Sequence, residues 1–164
     1  MARKFSGQMR FDVAPDVVFA AQCDPEYVVW KHEHMASFDV SAQVEHSGAG
    51  SRITSSRKLP AVVPAAAKPF VGDAITVDEV HVWGDADADG SRTGTVQASF
   101  PGAPMSVSGT LALRPDGVGS VLAVDITSKA SVPLVGGKLE EVVGEQFMRA
   151  LRKEEQIAPQ WFDA

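Results

Sequence analysis

Residues 131–162, SVPLVGGKLEEVVGEQFMRALRKEEQIAPQWF, constrain the fold more than any other stretch, because they have the spacing of one long amphipathic helix. At helical periodicity Leu139, Val143, Phe147, Ala150, Leu151, Ile157 and Trp161 gather on one side. Glu141, Glu145, Arg149, Arg152 and Gln156 fall on the other, with Glu145 four residues before Arg149, the spacing of a surface ion pair. Pro133 suits the first turn, where its missing N–H would have no partner, so the helix is expected to open there. A stripe this long needs a broad apolar surface to cover. Upstream, the periodic segments read as strands, apart from two short helices near the start. The pattern predicts an α+β domain over 1–164: a curved antiparallel sheet of about seven strands, ordered β-α-α-β6-α, wrapped around the C-terminal helix.

Phe5, Gly7, Met9, Phe11 and Val13 alternate with polar residues, the period of a half-buried strand. Pro15-Asp16 opens one short helix. Asp24-Pro25-Glu26 opens another, with a capping side chain, a proline at the first position and an acid in the positive first turn. Residues 38–46 and 51–59 then flank Ser47-Gly48-Ala49-Gly50 as a hairpin. Pairing them across that loop sets His46 against Ser51, Val44 against Ile53 and Phe38 against Leu59. The same register sets Glu45 against Arg52 and Asp39 against Lys58, so opposite charges meet twice. It also turns Ser55 and Arg57 inward, with Arg57 opposite Val40. Residues 60–72 hold three prolines and little charge, which excludes a central strand and leaves a lid over a pocket or a plain crossover.

A second hairpin runs through 75–83, the tip GDADADG and 92–100, with Val96, Ala98 and Phe100 on the core face. Residues 75–83 carry apolar groups on both faces, so the directions of His81 and Trp83 stay open. In a third hairpin Met105, Val107, Leu111 and Leu113 face the core and Pro115-Asp116-Gly117 makes the turn. Leu122, Val124, Ile126 and Val132 continue the core.

The net charge of −6 supplies no basic field for nucleic acid. A single cysteine, Cys23, forbids an internal disulfide and fits a reducing compartment. With no cation or histidine close in sequence it reads as a small core residue. MARKFSGQMRF lacks a signal peptide's apolar core, and no run reaches membrane-spanning length, so a cytoplasmic protein without a membrane span is expected.

The element order, with the openings APDVVFAAQCDPEY and VPLVGGKLEEVVGEQ, resembles the START and polyketide-cyclase-like (SRPBCC) superfamily, whose shape is the helix-grip fold. SVSGTL…PDG and VPLVGGK are similar to a domain-of-unknown-function branch of it. These motifs are structural and speak to fold before chemistry. The resemblance implies an apolar cavity between sheet and long helix that takes a lipid, polyketide or other hydrophobic molecule.

Asp85-Ala86-Asp87-Ala88-Asp89-Gly90 matches the first half of a calcium loop. The twelfth position, where a bidentate Glu is needed, is Val96, so an acidic hairpin tip is the better reading. His32 and His34 lie two apart and cannot share a helix face; both are expected at a surface or helix end. Gly136-Gly137-Lys138 lacks the rest of a phosphate loop, and its glycines are read as allowing a close approach to the sheet. No serine sits in a G-x-S-x-G elbow. The cavity candidates are Ser55, Arg57, His81, Trp83, Phe147 and Glu154, with Gln146 beside them. Arg57 and Glu154 are polar residues within apolar patterns. A buried cation needs a partner, either a ligand acid or Glu154 itself. Otherwise Arg57 extends past the rim and Glu154 lies where the helix overhangs the sheet. The leading expectation is a binding protein for a small hydrophobic molecule, anchored by Arg57, with no metal and no cofactor. The second is a cyclase- or aromatase-like enzyme using His81 or Glu154 as acid or base. The third is an interaction module whose pocket is filled by its own side chains.

Overall fold

The computed structural model describes residues 2–48 and 50–164. Strand β1 (Ala2–Phe11) is followed by helices α1 (Pro15–Gln22) and α2 (Pro25–Glu33), then β2 (Phe38–Ser47) and β3 (Gly50–Pro60). A 3-10 turn (Ala65–Ala67) and the one-turn α3 (Lys68–Val71) lead to β4 (Ala74–Trp83). Strands β5 (Arg92–Ser99), β6 (Met105–Asp116) and β7 (Gly119–Ala130) precede α4 (Gly136–Phe162). The seven strands form one antiparallel sheet in the order β1-β7-β6-β5-β4-β3-β2. Strands β2 to β7 are a meander, and β1 closes onto β7 at the far edge. With α4 across it, the sheet is a helix grip.

Local chemistry places the short elements as expected. The Asp24 carboxylate accepts from Glu26 N–H at 2.8 Å and Pro25 sits in the first turn of α2. The β2–β3 register has Glu45 opposite Arg52, His46 opposite Ser51 and Val44 opposite Ile53. Two details differ. Ser47 pairs with Gly50, so the loop is tighter than four residues; Ala49 lies outside the described residues. A bulge between Phe38 and Ser41, where Asp39 takes φ 51°, moves Phe38 opposite Lys58 instead of Leu59. Asp39 still reaches Lys58, at 3.4 Å, and Arg57 faces the bulge.

The core follows the predicted faces: Val96 and Ala98 on β5 with Phe100 just past its end, Met105, Val107, Leu111 and Leu113 on β6, and Leu122, Val124 and Ile126 on β7 are all buried. Helix α4 starts at Gly136, later than Pro133 suggested. Pro133 sits in a turn where Gly136 N–H bonds Val132 O and Leu134 takes φ 69°. The wholly buried Glu140 accepts Ala130 N–H at 2.9 Å and ties this start to the end of β7. Of the α4 glycines, Gly144 lies tightest against the sheet: an added Cβ there would stand 1.9 Å from the Phe5 ring. Gly136 is the milder case: a Cβ there would meet Ala130 O at 3.1 Å. At the other end Tyr27 of α2 packs edge-on against Trp161 and stacks on Phe162, joining α2 to the end of α4.

Candidate functional site

Between α4 and the β3–β4 half of the sheet lies a cavity of about 540 Å³. Its walls are apolar: Leu59 and Pro60 of β3, Ile75 and Val77 of β4, Val143 and Phe147 of α4. Val62 contributes from the proline-rich connection and accepts from Gln146 Nε2 at 3.3 Å, so that segment does border the opening. Arg57 and His32 stand at the buried end, and Arg149 and Lys153, both exposed, at the outer end. Behind the cavity is a chamber of about 60 Å³ shared by Lys31, His32, Arg57, Glu79, His81 and Glu154 among apolar groups. Six ionisable side chains around so small a space is an unusual concentration of charge for a domain core.

They fall into two linked groups. Arg57 Nη1 donates to Glu79 Oε1 at 3.1 Å, and His81 Nε2 stands 2.5 Å from Glu79 Oε2. Burial alone would raise the Glu79 carboxyl. Arg57 and His81 more than offset that and hold it well below the usual carboxylate range. An ionised carboxylate only accepts, so His81 Nε2 carries the shared proton. In the second group Lys31 Nζ donates to Glu154 Oε1 at 3.0 Å, while Tyr27 Oη and Gln22 Nε2 each donate to Glu154 Oε2 at 2.8 Å. Burial again opposes ionisation, and Lys31, Gln22 and Tyr27 outweigh it, so Glu154 lies below its ordinary value. His32 sits between the groups. Burial, reinforced by the Arg57 and Lys31 charges, pushes it well below the usual imidazole value, so it is neutral. No described residue hydrogen-bonds its ring.

Arg57 and Phe147 of the candidates line the large cavity; His81 and Glu154 line the chamber behind it. Ser55 is buried beside His81 in a smaller recess. Trp83 points inward but packs away from these spaces, edge-on to Phe19 at 6.0 Å. Arg57 does not extend past the rim: it is 7% exposed. Nor does Glu154 overhang the sheet, at 3% exposed. They do not pair with each other; each has a nearer partner, Glu79 and Lys31. His32 corrects the expectation of a surface histidine, because α2 turns Tyr27, Val28, Lys31 and His32 to one buried face. His34 behaves as expected, capping the helix end with Nδ1 2.8 Å from Trp30 O. Cys23 is a buried core thiol whose pKa burial raises. The Asp85–Gly90 stretch leads into a buried Val96, and among the described residues no acidic or histidine cluster could hold a metal. No described helix is long and apolar enough to cross a membrane.

A family described as "Protein of unknown function (DUF2505)" matches residues 6–162. The chain is a DUF2505 protein. An uncharacterised Mycobacterium tuberculosis protein, Rv0481c, is 28% identical to this DUF2505 chain over 112 residues, 67% of the chain. The match spans 62% of that relative's own length. Two solved structures share the fold. Norcoclaurine synthase from Thalictrum flavum, in complex with dopamine and hydroxybenzaldehyde, has a TM-score of 0.54 at 11% identity, covering 98% of this chain and 88% of that one. The Zhui aromatase/cyclase from Streptomyces sp. R1128 has a TM-score of 0.50 at 14% identity, covering 96% and 88%. At such identities the likeness is one of fold.

Proposed function

We propose that this DUF2505 protein binds a small hydrophobic molecule with a polar end in the cavity between sheet and α4, with Arg57 as polar anchor, inside the cytoplasm. The observation that carries this reading is Arg57 itself. A buried guanidinium with five N–H donors makes one hydrogen bond to a described residue, Nη1 to Glu79, and borders an apolar space of about 540 Å³. That volume falls in the range that encloses ligands of drug size, and the ratio of apolar wall to few polar groups is that of a ligand site. Native mass spectrometry on protein purified gently from its own host tests it. The expected result is an adduct of small-molecule mass that disappears on denaturation and is depleted in Arg57→Gln protein. An adduct retained in full by Arg57→Gln would remove Arg57 from the site.

One observation favours an enzyme as the second reading. His81 points inward and shares a short hydrogen bond with an ionised Glu79, beside a neutral His32 that borders both spaces. Such a set can move a proton at a bound substrate. Norcoclaurine synthase and the Zhui aromatase/cyclase carry enzyme names on the same fold. Small molecules extracted from wild-type and His81→Asn protein would then differ by a chemical step, such as loss of water. Identical extracts would leave a carrier.

A further inference from the structure

We propose that the ligand is an anionic amphiphile carrying a neutral oxygen at its far end, its acid group held at the mouth by Arg149 and Lys153 and its inner oxygen by Arg57 and His32. This rests on the cavity reading above and divides the ligand between two polar ends. Arg149 and Lys153 lie four residues apart on α4, both exposed and both lining the cavity. Neither forms an ion pair with a described residue, the Glu145 expected to hold Arg149 included, and no Asp or Glu lines this cavity. In a chain of net charge −6 the mouth is therefore a local patch of positive charge over an apolar space.

The buried end differs. Arg57 already carries Glu79, and a ligand carboxylate there would bring a second buried anion against the first. A hydroxyl or carbonyl oxygen accepts from the remaining guanidinium donors without adding charge. His32 stands beside Arg57, more than nine-tenths buried and with its ring unpartnered among the described residues, ready to give or take one hydrogen bond. The inner end is balanced in charge and rich in donors, and the outer end is cationic. The acid belongs outside.

Calorimetric titration with dodecanoic acid, its ω-hydroxy derivative, dodecanol and dodecanediol separates the two ends. At low salt the ω-hydroxy acid is expected to bind about fivefold tighter than dodecanediol, which keeps the same inner hydroxyl, the scale of two exposed charge contacts, and the preference should shrink with salt. Arg149→Gln/Lys153→Gln should abolish that preference by weakening the ω-hydroxy acid about fivefold more than the diol; both residues are exposed, so the fold is not at stake. The ω-hydroxyl should tighten binding by about fivefold, a gain lost in His32→Phe. Equal affinity for the ω-hydroxy acid and the diol, or an acid preference that survives the double substitution, overturns the proposal while the cavity reading stands. An ω-hydroxyl that weakens binding overturns the inner half. Failure of all four probes to bind overturns the cavity reading and this proposal together.

Discussion

Removing either partner of the Lys31–Glu154 pair strands a charge in the core, where the side chains are only 8% and 4% exposed. Lys31→Met or Glu154→Leu alone should each cost about 3–5 kcal/mol. The double variant should lose much less than the sum, because it removes both desolvated charges at once. Denaturant unfolding of the four proteins checks this, and additive losses would mean that the pair does not couple. The partners of these charges were the hardest part of the site to read. Arg57 was legible because the β2–β3 hairpin has matched charges on its outer face and a short loop, which fix its register. Glu79 was not, because Val80 and Val82 make the outer face of β4 as apolar as the inner one. Its direction follows only once β4 is laid beside β3, with Arg57 opposite Val77 and Ser55 opposite Glu79. The residues 61–73 between the two strands are too long and irregular to set that register. Lys31 and His32 share the helical spacing of Tyr27 and Val28, a usable signal, but charged residues on a short, weakly amphipathic helix are ordinarily assigned to solvent.

Among the elements, α4 and β1 come closest to a clash at Gly144, against the Phe5 ring; Gly7 of β1, where a Cβ would meet Met148 Sδ at 3.0 Å, is the milder case because that side chain can give. An alanine at 144 would gain about 1 kcal/mol in helix propensity but overlap three atoms of the Phe5 ring and force the ring or the helix to shift, at about 2–3 kcal/mol, the upper part of the overpacking range. Gly144→Ala should therefore destabilise, and Phe5→Ala should largely relieve the clash, so that in the Phe5→Ala background the alanine becomes neutral or stabilising. Thermal melts of the four combinations decide it. A Gly144→Ala protein as stable as wild type would mean that the helix can slide. The amphipathic stripe of 131–162 revealed that α4 covers the sheet, and Gly136-Gly137 suggested a close approach. The tighter contact lies further along, at a glycine on the apolar stripe one residue from Val143, where spacing alone marks nothing special. The delayed start of α4 has a local cause. With Leu134 in the left-handed region, the chain turns before it can wind, so Pro133 serves the turn instead of the first helical position.

At the scale of the whole molecule, the buried charges couple stability to pH in one direction on the acid side. His32, Glu79 and Glu154 all have folded pKa values below their ordinary ones. For a depressed pKa the unfolded chain binds the proton more readily, so the group's contribution is complete above its unfolded value and is lost as pH falls towards the folded one. His32 acts first, from about pH 6.5 downward, and the two carboxylates follow below about pH 4.3. Tyr27 works in the opposite sense. Burial and the adjacent Glu154 raise its pKa, so its contribution holds below about pH 10 and fades as pH rises further. Melting temperature against pH should therefore form a plateau from neutrality to mildly alkaline pH, with an acid limb in two stages. In His32→Gln, whose side chain has no charge to gain, the upper stage should flatten while the steeper loss below about pH 4.3 remains. An unchanged upper stage in that variant would assign it to another group and remove the neutral buried imidazole from the account. A ligand hydroxyl that donates to the unprotonated nitrogen of His32 should deepen that first stage when present, because protonating that nitrogen then disfavours both the fold and the complex.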